Sequence, residues 1–179
     1  ARAPDDGRRL EQRLAAVPGV AEAVVLAEEG VAYLKVNAHP FDEQALARLW
    51  QVKGRSEGKP ILLLIGDKSQ LEPLVRTIPP AATVLMNAFW PGPLTIVFPA
   101  AEALPDAVTA GTGSVGIRLS ACQPLVDLLR HVGPVTGTSA NREGLPPPRR
   151  AEEVQENLGE EVDLIIDAGP TPGGRPSTV

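Results

Sequence analysis

Three basic side chains, those of Lys53, Arg55 and Lys59, fall within seven residues that also include two glycines. A glycine-containing loop can wrap around an anion. The compact charge of lysine and the planar guanidinium of arginine together suit a polyphosphate better than a single carboxylate. The alternative is a solvated basic turn, which the charges taken alone favour. If the segment binds a ligand, these residue types therefore indicate a polyphosphate.

A further basic residue, Arg118, lies in the apolar segment Val-Gly-Ile-Arg-Leu at 115–119, directly after a loop that ends at Ser114. Arginine is rarely buried without a partner. An internal salt bridge would satisfy it, and so would a ligand carboxylate bound by both arms of the guanidinium. The sequence alone leaves these two alternatives open.

Hydroxyl and amide groups cluster at Thr138, Ser139 and Asn141, directly after a short β-prone run. Such a cluster can direct several donors into a crevice at the end of a sheet. An ordinary Ser/Asn turn or helix cap is the alternative, and Ser177 near the C-terminus has the same two interpretations. The sequence contains no Walker A pattern and no G-x-G-x-x-G loop after a first strand, so it lacks the common nucleotide-binding loops.

The composition argues against several classes of protein and of binding site. One cysteine, Cys122, and two distant histidines argue against a disulfide framework and against a metal centre built from protein ligands. No apolar stretch approaches the roughly 20 residues of a membrane span, so we expect a protein of the cytoplasm without membrane contact. A net charge of -5 and 3% aromatic residues argue against a stacking platform for single-stranded nucleic acid.

The elements that must position these residues alternate between helix and strand, which favours an α/β fold with a mixed sheet in one main domain. Apolar spacing and caps predict helices at 8–17, 41–52, 69–76, 83–89, 124–131 and 151–158. β-prone runs predict strands at 23–27, 31–36, 60–66, 94–98, 114–119, 135–138 and 162–166. We expect the first two strands to form a hairpin, and 60–66 to be covered on both faces.

Five motifs occur in an order that resembles the YrdC-like family of threonylcarbamoyl-AMP synthases. They are Lys-Gly-Arg-Ser-x-x-Lys-Pro at 53–60, Trp-Pro-Gly-Pro-Leu-Thr at 90–95, Val-Gly-Ile-Arg-Leu at 115–119, Thr-Ser-Ala-Asn at 138–141 and Ser-Thr-Val at 177–179. The resemblance extends over about residues 41–179. It implies a twisted mixed sheet with flanking helices and a concave basic cleft.

The resemblance also implies a nucleotidyltransferase that makes threonylcarbamoyl-AMP and pyrophosphate from L-threonine, bicarbonate and ATP, for the threonylcarbamoyladenosine modification of tRNA. Carried over by motif, Lys53, Arg55 and Lys59 would face the ATP phosphates, and Ser114, Ser139 and Asn141 would seat the nucleotide. Arg118, Thr138 and Ser177 would hold the threonine. Mg²⁺ is expected on the phosphates, and no residue is assigned as a general acid or base. Transferase proteins that modify tRNA would use the product as their substrate. We also expect contact with tRNA itself.

The chain departs from the family pattern before residue 41. The family's Pro-Thr-x-Thr segment, which contributes to the threonine pocket, is not seen. Residues 10–36 are instead typical of a helix and a hairpin, and 14–25 is faintly similar to the small C-terminal domain of adenylate-forming ligases. We therefore expect a single domain over 1–179, with 1–36 atypical and the C-terminus truncated. Two other functions stay open: a related carbamoyl-transfer enzyme that uses carbamoyl phosphate, and a non-catalytic module that binds nucleotide or RNA.

Overall fold

The computed structural model describes residues 20–26, 31–36, 43–54, 58–167, 169–171 and 178–179, with the backbone alone for the first two segments. Strands and helices alternate along most of this length. In chain order they are β1 (Val20–Leu26), β2 (Val31–Val36), α1 (Glu43–Lys53), β3 (Leu62–Ile65), α2 (Pro80–Phe89), β4 (Ile96–Pro99), α3 (Asp106–Thr109), β5 (Ser114–Leu119), α4 (Gln123–Val132), β6 (Val135–Gly137) and α5 (Ala151–Leu158).

Four of the strands form a mixed sheet in the order β4-β5-β3-β6. The two central strands, β3 and β5, are parallel, with Leu63 opposite Ile117. The outer strands are antiparallel to their neighbours: β4 pairs Ile96 with Ile117, and β6 pairs Gly137 with Leu62. The predicted α/β class with a mixed sheet and flanking helices is thus confirmed.

One face of this sheet packs against the hydrophobic core. Strand side chains point alternately to the two faces, and on β5 the residues Val115, Ile117 and Leu119 are buried while those between them are partly exposed. The buried residues join Leu46 and Trp50 of α1, together with residues of α2 and β4, in one apolar cluster. Burial of this face fixes the register, because a shift of one residue would expose every core side chain.

The opposite face, here called the open face, carries Leu62 and Leu64 of β3, Gly116 and Arg118 of β5, and Val97 of β4. The registers align these positions, and all of them are partly or largely exposed. The prediction that 60–66 is covered on both faces therefore holds only in part. This open face leaves room on the sheet for something other than core side chains.

Helix α4 covers the carboxyl end of β3. A Cβ added to Gly66 would lie 2.8 Å from Leu129 Cβ and equally close to the backbone of Val126 and Arg130. Only glycine allows this approach, because real Cβ atoms essentially never come that close to backbone. The same helix lies beside β2 of the predicted hairpin, which is confirmed as an antiparallel pair of β1 and β2.

The helices confirm most of the sequence predictions. Helices α1, α2, α4 and α5 begin and end within three residues of the predicted bounds. The predicted helix at 8–17 lies outside the described residues. None of the helices that the structure describes is long and apolar enough to cross a membrane.

Two predicted elements are wrong. Residues 69–76 do not form one α-helix but two single 3-10 turns, Lys68–Gln70 and Glu72–Leu74, because Pro73 interrupts the helical hydrogen bonds. The predicted buried strand at 162–166 pairs with no described strand, and its Leu164 and Ile166 are exposed. This segment is anchored instead by Asp163, which accepts two hydrogen bonds from Arg48 at 2.7 and 2.9 Å and thereby raises the pKa of that guanidinium.

Candidate functional site

The end of α1 is joined to the loop that follows β6. Lys53, in the last turn of α1, is 5% exposed, and its Nζ donates to the backbone carbonyl oxygens of Ser139 and Asn141. The side-chain oxygens of the same two residues each lie 3.5 Å from Nζ. The backbone N–H of Glu143 completes the connection by donating to the Lys53 carbonyl at 2.8 Å. Lys53, which the sequence predicts to face phosphates, therefore also stabilises the loop after β6 through these hydrogen bonds.

Asn141 shapes this loop from within. It is buried, and its Nδ2 donates to the carbonyl oxygens of Arg142 and Leu145. Thr138 and Ser139, which precede it, are exposed. The buried amide holds the turn while the two hydroxyl-bearing residues remain accessible to a ligand. The segment therefore forms the Ser/Asn turn that the sequence allowed as an alternative, and the side chains of Thr138 and Ser139 are exposed on it.

Lys59 reaches the same loop by an ion pair with Glu143. Both side chains are about half exposed, at 50% and 40%, so the pair is solvated and can be broken at little cost. Arg55, the third predicted phosphate contact, lies outside the described residues. Two of the three predicted cations, Lys53 and Lys59, are thus brought to one loop.

Ser114 joins this group at the same edge of the sheet. Because β3 and β5 are parallel and β6 runs opposite, the start of β5, the start of β3 and the end of β6 meet at one edge. Strand β5, which begins at Ser114, and strand β6, which ends two residues before Ser139, are about 10 Å apart across β3. Ser114 Oγ lies 3.0 Å from Thr112 Oγ1, in a loop whose Gly111 and Gly113 have positive φ angles. We call this group, Lys53, Lys59, Ser114, Ser139 and Asn141, the polar edge.

Arg118 lies toward the other end of β5, four residues or about 13 Å from Ser114. Its Nε donates to the carbonyl oxygen of Gly92 at 2.9 Å, and the Gly92 N–H donates to Leu119 O at the same distance. The two terminal nitrogens of the guanidinium have no hydrogen bond or ion pair among the residues described here. The internal salt bridge that the sequence left open is therefore not found among the residues that the structure describes.

Three features of this region were not predicted from the sequence. Glu143, the partner of Lys59, gave no signal because the two are far apart in the chain. Thr95, the last residue of the Trp-Pro-Gly-Pro-Leu-Thr motif, is buried beside β5. Thr178 makes an isolated parallel bridge with Leu94, so the C-terminal segment runs beside this motif. Ser177 itself lies outside the described residues.

A cavity of about 290 Å³ lies at the carboxyl ends of β3 and β5, lined among others by Asp67, Lys68, Ser120 and Arg130. It contains none of the predicted site residues. The backbone N–H of Ser69 donates to the Asp67 carboxylate and lowers the pKa of that group, with a smaller contribution from Arg130. The residues described around this cavity and elsewhere include no group of three or more His, Cys, Asp or Glu side chains that could hold a metal ion.

The fold and site define an α/β protein whose mixed sheet has one open face, with cations and hydroxyls at one edge and a guanidinium toward the other. The chain belongs to the Sua5/YciO/YrdC family, whose model, described as telomere recombination, matches residues 22–179. The resemblance seen in the motifs is thereby confirmed. A second family model, the YajR YAM domain, matches residues 2–40.

Named relatives support this membership. The chain is 37% identical to a threonylcarbamoyl-AMP synthase of Pyrococcus abyssi, over 80% of this chain and 43% of that one. It is 39% identical to the Bacillus subtilis protein of that name, over 88% and 46%. A Coxiella burnetii protein of that name is 34% identical, over 92% and 89%. The chain thus spans less than half the length of the first two.

Two solved structures are similar to this one. The crystal structure of P. abyssi Sua5 complexed with L-threonine superposes with a TM-score of 0.74 at 37% identity, covering 83% of this chain and 43% of that chain. The crystal structure of Escherichia coli YciO gives a TM-score of 0.71 at 23% identity, over 96% and 82%, and supports the fold alone.

Proposed function

We propose that this protein synthesises threonylcarbamoyl-AMP from L-threonine, bicarbonate and ATP, with release of pyrophosphate and water. The observation that carries the proposal is the arrangement of the sheet. The polar edge lies at one end of β5, and the Arg118 guanidinium, whose terminal nitrogens have no partner among the described residues, lies about 13 Å away. That separation suits an elongated ligand with phosphates at one end and a carboxylate at the other. The relatives named threonylcarbamoyl-AMP synthase support the same reaction.

The polar edge would bind ATP. Lys59 is the accessible cation, and it can exchange its solvated Glu143 partner for a phosphate. Lys53 acts from inside by holding the loop so that Ser139 and Asn141 stay in place, while its charge adds to the local positive field. Ser114 and Ser139 offer hydroxyls to the nucleotide, and Arg55 would add a planar fork for the phosphates.

The other end of the open face would bind threonine. The guanidinium of Arg118 can take a carboxylate in two parallel hydrogen bonds, while its Nε keeps the bond to Gly92. Ser177 would contribute from the segment beside Thr178, and Thr138 from the loop after β6. The L-threonine in the Sua5 crystal structure supports an amino-acid pocket in a relative with this fold.

The chemistry needs positioning and charge stabilisation more than a general base. The threonine amine adds to bicarbonate to give a carbamate and water, and a carbamate oxygen attacks the α-phosphorus of ATP. The bond from the α-phosphorus to the bridging oxygen breaks, and pyrophosphate leaves with the electron pair. Lys59 and Arg55 would offset the charge of the leaving group. Mg²⁺ is expected on the phosphates because a few side-chain cations only partly neutralise a triphosphate.

The biological setting follows from the product. A carbamoyl adenylate is an activated donor, and a transferase that modifies tRNA would consume it, which fits a cytoplasmic enzyme. We further propose that the open face belongs to a single YrdC-like domain, with the first 36 residues atypical for the family.

The direct test is pyrophosphate release from ATP by the purified protein, measured with threonine or bicarbonate omitted in turn. The proposal expects release only when both are present. Lys59→Ala and Arg55→Ala should raise the ATP dissociation constant while the thermal unfolding temperature stays within about 2 °C. Activity with carbamoyl phosphate but not with bicarbonate and threonine would assign the protein to the related carbamoyl-transfer reaction instead. RNA binding that falls steeply with salt and needs no ATP, without turnover, would indicate a binding module.

A further inference from the structure

Thr95 carries a hydroxyl group that its surroundings do not satisfy. The residue is 3% exposed, and its Oγ1 is the one buried side-chain polar atom without a hydrogen-bond partner in the part of the chain that the structure describes. Burying a hydroxyl without a partner costs free energy, so such a group is rarely kept for packing alone. Valine would fill the same space without that cost.

The position of Thr95 relates it to Arg118. Strand β4 pairs Ile96 with Ile117, and continuing this antiparallel register by one residue sets Thr95 opposite Arg118. A Cβ added to Gly116 would lie 3.1 Å from the Thr95 methyl carbon, so the Thr95 side chain lies on the open face with Arg118. The Thr95 hydroxyl and the Arg118 guanidinium therefore belong to the same region of the sheet.

The backbone of Thr95 is joined to the C-terminal segment as well. Its N–H donates to the carbonyl oxygen of Thr178 at 2.8 Å, and the Thr178 N–H donates to Pro93 O at 3.0 Å. Thr178 follows Ser177, which the family resemblance assigns to threonine. Thr95 thus lies opposite Arg118 and is hydrogen-bonded through its backbone to Thr178.

We propose that Thr95 is a binding residue for the carboxylate end of the ligand that Arg118 holds; this inference rests on the proposed function and adds a residue to its amino-acid pocket. The ligand carboxylate supplies the acceptor that Oγ1 lacks. Because Oγ1 is covered, the ligand reaches it after a side-chain movement on the open face. Arg118, which the register sets opposite Thr95, is the side chain that would move, and the hydrogen bond that its guanidinium makes to described residues is the one from Nε to Gly92 O.

A comparison of Thr95→Val, Thr95→Ala and Thr95→Ser tests the inference. Thr95→Val removes an unsatisfied hydroxyl at nearly constant volume, so we expect its melting temperature to rise by about 2–4 °C. Its dissociation constant for L-threonine should rise about tenfold, as for the loss of one hydrogen bond to a charged group. Thr95→Ala should lose threonine affinity similarly, and Thr95→Ser should recover it to within roughly threefold. The dissociation constant for ATP should stay within about twofold in all three, because ATP binds at the polar edge.

The outcomes separate this inference from the proposed function. If the wild-type protein binds L-threonine and both hydroxyl-free variants bind it equally well, Thr95 is not a binding residue while the proposed function stands. A melting temperature that falls in Thr95→Val would also overturn the inference, because the hydroxyl would then have a structural partner. If the wild-type protein binds ATP but no L-threonine, the amino-acid half of the proposed function fails, and the role of Thr95 fails with it.

Discussion

The ammonium group of Lys53 donates to the backbone carbonyl of Asn141, 88 residues further along the chain, and the side-chain amide oxygen of Asn141 lies 3.5 Å from the same nitrogen. This contact joins the last turn of a helix to the loop after an edge strand. It makes a lysine of the basic motif part of the framework that orders the proposed nucleotide loop. If the loop binds nucleotide as proposed, binding and folding are coupled at this residue.

Lys53→Met should reduce both stability and nucleotide affinity. The substitution leaves the carbonyl oxygens of Ser139 and Asn141 without their shared donor, and we expect the free energy of unfolding to fall by about 1–3 kcal/mol. Urea denaturation measures this directly. Lys59→Met is the matched control, because its partly exposed ion pair should contribute less than about 1 kcal/mol. Equal stability of the two variants would contradict the support role of Lys53.

Glu143→Gln should strengthen ATP binding. Glu143 forms an ion pair with Lys59, and a phosphate that binds Lys59 has to displace this carboxylate. Removing its charge should lower the dissociation constant for ATP by roughly twofold to fivefold, with a smaller gain at high salt. Isothermal titration at two salt concentrations is the measurement. Weaker ATP binding in this variant would show that Glu143 contributes to the site rather than competing with the ligand.

Arg118→Lys should impair threonine binding selectively. Lysine keeps the charge but cannot form two parallel hydrogen bonds to one carboxylate, nor keep the Nε bond to Gly92. We expect the KM for threonine to rise about tenfold or more, and that for ATP to change by less than about threefold. Steady-state kinetics with each substrate varied in turn separates these effects. A parallel loss for both substrates would mean that Arg118 supports the whole sheet face and not one end of the ligand.

Asp67→Ala should lower stability in a manner that depends on pH. The backbone N–H of Ser69 lowers the pKa of Asp67 in the folded protein, so its ionised form favours folding. That contribution is present above the unfolded pKa of about 3.9 and is lost as the pH falls through the lower folded value. The stability difference between wild type and variant should therefore be largest near neutral pH and shrink in acid. A difference that stays constant down to pH 2 would rule out this coupling.

Much of the fold could be predicted from the sequence because apolar residues that alternate along a strand identify its buried face. Strand β5 was predicted with its observed bounds, Ser114–Leu119, since its apolar residues alternate along the chain. The strand predicted at 162–166 is wrong because its side chains are apolar but none of the strands that the structure describes pairs with it. Apolar composition indicates that a strand could form, whereas pairing depends on the rest of the fold.

The site was predictable in its residue types and less so in its contacts. Motifs pointed to Lys59 and Ser139, and the registers of β3, β5 and β6 bring their segments to one edge. Burial of Lys53 and its pairing with the loop at Asn141 depend on how α1 meets β6, which no local pattern specifies. The sequence did not predict a role for the Thr95 hydroxyl. That role is inferred from the lack of a hydrogen-bond partner among the described residues, which only the tertiary structure reveals.

The most direct measurement is identification of the product formed from ATP, L-threonine and ¹³C-labelled bicarbonate. Mass spectrometry of the reaction should detect a threonylcarbamoyl adenylate one mass unit heavier than with unlabelled bicarbonate, together with one pyrophosphate for each adenylate formed. The label would then lie in the carbamoyl carbon. ATP turnover to ADP and phosphate, or an adenylate without the label, would contradict the proposed reaction.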